Sequence, residues 1–317
     1  MHKLWIADGH CDSLGDLTSG KRDLLGLAGE GHWDLVKACQ AGIGLQFFAA
    51  YIESEYKPFL AGLRGLEHIE AALRFIDNNP EDVFLVKGQD DLSNLGNSKK
   101  IGLVLHIEGG EILGESLFML DIIYRLGVRS IGLTWNERNA LADGVGEVGS
   151  QGGLSRFGKQ VMKRMNSLGM VIDVSHLNEA GFWDVVAGSV APIIASHSCA
   201  RALCDHPRNL SDKQLKALAE VKGLVGVNFC QDFLNETGKA TIDDVVRHIC
   251  YIAEVAGVDC VAFGSDYDGI PSPPLGLEDA SKFPHLLEKL KDCGFKDTEL
   301  TKICHGNFVR VLANVLK

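Results

Sequence analysis

The chain has 317 residues, 46% of them hydrophobic and 23% charged, with only 8 prolines, which is ordinary globular composition and excludes disorder as the main state. Its 31 Lys+Arg stand against 42 Asp+Glu, a formal charge of −11, with no basic run. A nucleic-acid partner, which needs clustered cations along a phosphate track, is therefore not expected.

In chain order the sequence alternates short apolar runs with stretches of helical periodicity. The runs are Leu4 to Asp12, Ile43 to Tyr51, Ile101 to Glu108, Val128 to Trp135, Met170 to His176, Pro192 to His197, Leu224 to Cys230 and Cys260 to Asp266. Helix-like stretches include Phe59 to Ile76, Phe157 to Leu168, Ser211 to Val221 and Ile242 to Ala256. Runs apolar on both faces suit parallel strands covered by helices. Eight alternations, with no Gly-rich phosphate turn after the first, predict a closed (β/α)8 TIM-like barrel, an α/β fold. Val83 to Val86 is expected as an extra short strand, and Gly88 to Lys100 as a hydrophilic connection. No Pro-, Gly- or Ser-rich linker divides the chain, so residues 1–317 are read as one domain.

Nine cysteines are scattered without a Cys-x-x-Cys pair, several inside apolar runs, a pattern of small buried residues in a reducing compartment. Met1 to Trp5 lacks the charged-then-apolar layout of a signal peptide, and no window approaches 18 apolar residues. The C-terminal Val311 to Lys317 is too short an apolar tail for a lipid-anchor signal. The expectation is a soluble cytoplasmic protein without membrane contact.

Side chains at the C-terminal ends of barrel strands converge on the active site. The run ends supply His10 and Asp12, Glu108, His176, His197 and Asp266. Residues two apart in a strand share a face, so His10 and Asp12 are expected to point together into the mouth. Imidazoles with carboxylates form a donor set for zinc or a related divalent ion. The set exceeds what one tetrahedral zinc takes and matches a pair of ions about 3.5 Å apart, with Glu108 as the natural bridge. Taken singly, each member has an ordinary structural explanation. His176 and His197 are each next to a serine that would satisfy a core histidine, and Glu108 precedes Gly109-Gly110 where it would cap a helix. A second His/Cys cluster, His197 to His206, lacks the paired, separated knuckles of structural zinc sites, and Cys199 and Cys204 are read as packing residues.

These residues resemble the membrane (renal) dipeptidase family of metal-dependent hydrolase barrels. The resemblance runs from Asp8-Gly9-His10-Cys11-Asp12 to Gly306-Asn307-Phe308-Val309-Arg310-Val311. Between lie Ile107-Glu108-Gly109-Gly110, Gly132-Leu133-Thr134, Gly153-Leu154-Ser155-Arg156-Phe157-Gly158 and Met165-Asn166-Ser167-Leu168-Gly169. Further on come Ile172-Asp173-Val174-Ser175-His176, Ser196-His197-Ser198, Arg208-Asn209, Val227-Asn228-Phe229 and Gly264-Ser265-Asp266-Tyr267-Asp268-Gly269. The resemblance implies a zinc-dependent dipeptidase with two Zn2+ per chain and a metal-bridging hydroxide, acting on L-Xaa-L-Xaa or L-Xaa-D-Xaa. It implies His10 and Asp12 on one zinc, His176 and His197 on the other, and Glu108 between them. It further implies Arg208 on the substrate carboxylate and Asp266 as the proton carrier. Asp268, two residues on, is read as a loop or supporting residue. Members are often dimers, so a homodimer is among the assemblies it allows.

Two positions depart from the family. Trp135 stands where members carry a His that stabilises the tetrahedral intermediate. An indole donates one N–H and carries no charge, so Trp135 is read as an aromatic wall, with Asn136 or His106 as candidate stand-ins. Cys230 stands where relatives often have Tyr and is expected to reshape the substrate pocket. The alternatives are another binuclear metallohydrolase acting on a different amide or lactam, and a metal-binding relative without catalysis; Trp135 is the feature favouring the latter, the full donor set the feature against it.

Overall fold

The computed structural model describes residues 4–26, 29–97 and 99–317; Met1 to Lys3, and Ser98 of the hydrophilic connection, lie outside the described residues. Its strands are β1 Ile6–Cys11, β2 Ile43–Tyr51, β3 Val83–Leu85, β4 Ile101–Glu108, β5 Val128–Gly132, β6 Val171–Asp173, β7 Ile194–Ser198, β8 Leu224–Val227 and β9 Val261–Phe263. Every pairing is parallel, β1 lies between β2 and β9, and β2 also pairs with β4, so eight strands close into a barrel. Helices follow the strands as predicted, including Ala61–Asn78, Arg156–Leu168, Asp212–Glu220 and Ile242–Ala256.

The extra strand β3 stays outside the ring. It pairs with Ile101 to Leu103 of β4, while β5 joins that same strand only from Leu105 onward. The connection after it is not plain loop, since Gln89–Asn94 form a short 3-10 turn. The cysteines are free and six of the nine are buried. Among the described residues no helix is long and apolar enough to cross a membrane.

Inside the ring, Ala7, Leu45, Phe47, Val104, Val171, Ile194, Leu224 and Ala262 form one apolar cluster, closed by Phe308, Val311 and Leu312 of the helix Asn307–Val315. Apolar plugging at this N-terminal end leaves the opposite end as the place where polar side chains gather. The barrel also narrows around one carbonyl. A Cβ on Gly9, Gly226 or Gly264 would stand 2.7, 2.0 or 1.9 Å from the Ser196 oxygen, so these positions on three neighbouring chain segments exclude any side chain.

Several predicted strands end early. The runs to His176 and Asp266 stop as strand at Asp173 and Phe263, and both residues sit in left-handed turns, with φ of 65° and 62°. Asp12 likewise lies past β1, as the N-cap of the helix Ser13–Thr18, so strand parity is not what brings it beside His10. The turns carrying His176 and Asp266 are as buried as the strands before them and hold small residues such as Ser175, Gly264 and Ser265, so nothing in the run marks where the strand stops. We expect Gly226→Ala to lower unfolding stability by about 1–3 kcal/mol, read as a reduced urea midpoint with unchanged slope; an unchanged midpoint would contradict the close approach described.

Candidate metal centre and pocket

Two buried strand carboxylates set the chain segments that carry several polar groups to the mouth. Asp173, the last residue of β6, is buried and accepts the backbone N–H of Ser175 and of Ser196 at 2.9 Å each, and the Ser196 hydroxyl at 2.5 Å. That carboxylate bends the chain into the turn carrying His176 and also fixes the residue before His197. Asp8 of β1 does the same work elsewhere, accepting the backbone and hydroxyl of Ser265 at 2.7 Å each and Gln46 at 2.8 Å, which sets the residue before Asp266. A non-glycine residue in the left-handed region costs about 1–2 kcal/mol, and these buried hydrogen bonds offset it.

The tautomers of two histidines follow from their partners. Ser196 Oγ gives its proton to Asp173, so it accepts from His197 Nδ1 at 2.7 Å. Asn136 Oδ1 accepts from His176 Nδ1 at 2.8 Å. Both rings therefore present a bare Nε2 to the mouth. These two nitrogens are 2.8 Å apart, and Glu108 Oε1 lies 2.9 Å from the first and 3.5 Å from the second. Glu108 Oε2 faces the other way, 3.6 Å from His10 Nε2, which is 3.3 Å from Asp12 Oδ2 and 4.0 Å from Asp266 Oδ1. Neither ring nitrogen of His10 has a hydrogen-bond partner, nor has Asp12 Oδ1, although all are buried.

The electrostatics agree with this crowding. Burial, then the neighbouring Arg208 charge, pushes His176 down to about 4. Burial also holds His197 well below the usual histidine range, so both rings are neutral. Burial and the adjacent Glu108 carboxylate lift Asp12 well above the usual carboxylate range, and burial raises Asp266 too. Burial acts upward on Glu108 as well, but the facing His10 outweighs it and keeps this carboxylate ionised. Burial acts downward on His10, but Glu108 and Asp12 in turn outweigh it and hold this ring well above the usual histidine range. Around His176, His197 and Glu108 Oε1, lone pairs meet lone pairs in a buried space, an arrangement that fits a cation. The residues present thus pass the chemical test for a metal centre, and among the described residues the clusters able to hold an ion are His10, Glu108 and His197, and His10, Asp12 and Asp266.

The centre opens into a cavity of about 620 Å³ whose lining includes Trp135, Asn136, Arg208, Cys230 and Asp266. Arg208 is buried, donates from Nη2 to the His197 carbonyl at 3.1 Å, lies 5.5 Å over the Phe233 ring, and leaves Nε without a partner. Burial lowers its affinity for the proton, but a guanidinium stays charged. Trp135 packs on Tyr51 and on His176, at ring separations of 5.2 and 5.9 Å, as a wall. Cys230 is nearly buried beside Arg208, its thiol pushed up to about 11 by burial.

One expectation changes. His106 is no stand-in at the mouth: it is fully buried, bonded to Ser130 Oγ at 2.9 Å and 3.5 Å from Asp173, and absent from the cavity lining. Asn136 lines the cavity, with its amide oxygen committed to His176. In the His197 to His206 segment the thiols of Cys199 and Cys204 turn to the carbonyls of Asn228 and Asp232 and gather no site. Asp268 ties the preceding loop, taking Ser13, Arg22 and the His32 N–H. The sequence reading assigned no role to Asp8, Asp173 or Asn228, which bonds Asp266 Oδ2 at 2.9 Å. The signal for the first two was present, namely a carboxylate inside an otherwise apolar strand.

Comparison with known proteins gives a consistent result. The membrane dipeptidase (peptidase family M19) model matches residues 1–317. A Schizosaccharomyces pombe protein named as an uncharacterized dipeptidase is 39% identical over 274 residues, covering 82% of this chain and 66% of the relative, so the match spans just under two thirds of that protein. A Klebsiella pneumoniae protein encoded in the pqqA 5′ region is 41% identical over 235 residues, covering 71% of this chain and 86% of the relative. A metallopeptidase from Rhodobacter sphaeroides, solved with a phosphinate mimic of the dipeptide L-Ala-D-Ala, superposes with a TM-score of 0.92 at 29% identity, over 98% of this chain and 99% of that one. The metallopeptidase called dipeptidase AC superposes with a TM-score of 0.93 at 29% identity, over 99% of both chains.

Because Asn136 fixes the donor face of His176, Asn136→Ala is expected to weaken divalent-metal affinity about 10–100-fold in chelator competition; an unchanged affinity would show that the ring is held by other contacts.

Proposed function

The chain belongs to the membrane dipeptidase family, peptidase family M19, and from that premise we propose that residues 1–317 form one catalytic barrel, a binuclear zinc dipeptidase cleaving the single peptide bond of short dipeptides. The observation that carries this reading is Glu108, each of whose oxygens faces a different set of metal-ligating atoms. His10, Asp12 and Glu108 Oε2 would hold one ion; His176, His197 and Glu108 Oε1 would hold the other. When bound, the two ions supply Lewis-acid activation of a water and polarisation of the scissile carbonyl.

The chain's own residues do the rest. Arg208 offers a buried guanidinium with an unmet donor at the cavity, a fork that binds a substrate's terminal carboxylate and restricts the substrate to a short one. Asn228 holds Oδ2 of Asp266 and leaves Oδ1 toward His10. Asp266 Oδ1 takes the proton of the attacking water and delivers it to the departing amine, base first and acid second. Trp135, Tyr51 and Cys230 wall the cavity and keep bulk water from the reacting bond. Acceptance of a D-residue at the carboxyl-terminal position is supported by the Rhodobacter sphaeroides neighbour, whose ligand mimics L-Ala-D-Ala.

Zinc-reconstituted protein is expected to hydrolyse L-Xaa-L-Xaa or L-Xaa-D-Xaa dipeptides with kcat/KM of about 10⁴ M⁻¹s⁻¹ or more; no turnover with two zinc ions verified per chain would overturn the reading. Asp266→Asn is expected to lose about 10²–10⁴-fold in kcat while metal analysis still finds the ions bound; near-native kcat would remove its proton role. Arg208→Met should lower kcat/KM for free dipeptides by about 10²-fold yet have little effect on C-terminally amidated ones, a contrast that loss of folding does not produce.

A further inference from the structure

The cavity extends well beyond the groups used above, and its far side carries a second set of polar residues. Around the ring the order is β1, β2, β4, β5, β6, β7, β8, β9, which puts β2 diametrically opposite β7. Arg208 follows β7, whereas Tyr51 ends β2, Glu53 lies two residues on, and His68 sits on the helix after it. All three line the cavity, as does Arg64. A dipeptide held by its carboxylate at Arg208, with its peptide bond over the metal centre, therefore directs its amino-terminal residue toward this side.

The chemistry there asks for a donor. Thr18 Oγ1 gives its own proton to the Leu14 carbonyl at 2.8 Å, so its 2.8 Å contact with His68 Nδ1 makes that nitrogen the protonated one. His68 Nε2 is then a bare acceptor. It is buried without a hydrogen-bond partner and lies 3.8 Å from Glu53 Oε2, with the Tyr51 backbone also turned to this ring. Burial pushes His68 down to about 4, so the ring stays neutral. Among the described residues, Arg64 is the cation lining this wall, and it is already engaged by Glu53 at 2.5 and 2.9 Å and by Glu67 at 3.3 Å, while Lys57, over the Tyr51 ring, is paired with Glu111 and Glu137. Two carboxylates against one guanidinium leave a net negative charge beside an unmet lone pair.

We propose that Tyr51, Glu53 and His68 form the recess for the amino-terminal side chain of the substrate, and that it selects a cationic one, lysine or arginine, through Glu53 and His68 Nε2. This rests on the dipeptidase reading given above. Among the described residues an anionic side chain finds there only cations already paired with carboxylates, and an apolar one leaves the buried His68 Nε2 unmet.

The test compares lysyl-alanine, norleucyl-alanine and glutamyl-alanine on the zinc-loaded protein, since norleucine keeps the lysine stem without the ammonium. The expected kcat/KM for the lysyl substrate exceeds that for the norleucyl one by about tenfold or more. In Glu53→Gln and in His68→Phe that ratio falls toward one, whereas general damage lowers both substrates together and leaves the ratio unchanged. Equal or better turnover of norleucyl-alanine, a preference for glutamyl-alanine, or a ratio untouched by both variants overturns the inference and leaves the dipeptidase reading standing. Absence of turnover on every dipeptide removes both.

Discussion

Electron pairs with no proton between them are the constraint around which this molecule is arranged. The Nε2 atoms of His176 and His197 approach to 2.8 Å with Glu108 Oε1 beside them, and both rings have their N–H committed elsewhere. Such an array is repulsive on its own and becomes favourable around a cation. The protein must therefore hold its ligands together against their mutual repulsion, and it does so with buried hydrogen bonds from outside the centre. Asp173 through Ser196, and Asn136 through its amide oxygen, each fix one imidazole.

The same logic explains the backbone. Asp8 and Asp173 occupy equivalent positions in their local networks: a strand carboxylate captures a serine on a neighbouring segment, and the next residue enters the mouth. His176 and Asp266 reach it from left-handed turns, a conformation that places a side chain where an extended strand would carry it past. Close approach of the chains is needed for this, and the glycines facing the Ser196 carbonyl permit it. Rigidity at the mouth is thus supplied by the packed barrel, and catalytic geometry is borrowed from the scaffold's stability.

The cavity lining is then divided by chemistry around the ring. One end offers the guanidinium of Arg208, the middle the acceptor cluster, and the opposite side the Glu53 and His68 wall. Trp135 stands between the last two, packed on both Tyr51 and His176, so the residue that departs from the family pattern bridges the candidate metal centre and the proposed side-chain recess.

Much of this was legible in the sequence. Eight apolar runs with helical stretches between them specify the barrel, because a strand covered on both faces has to be apolar throughout. The polar residues closing those runs named all five candidate ligands and Asp266, since a charged group at the end of a buried run has only the mouth to face. Tertiary structure alone decided the rest. Strand ends were overrun because the turns at His176 and Asp266 are as buried as the strands and hold small residues, Ser175, Gly264 and Ser265, that do not break the run, which hid their left-handed backbone. The alternatives open to His106 and Asn136 turned on partners 24 and 40 residues away, Ser130 and His176. Composition and periodicity determine which residues are buried and at which end of the barrel they lie. The direction of each lone pair depends on neighbours distant in the chain, and only the closed ring brings those neighbours together.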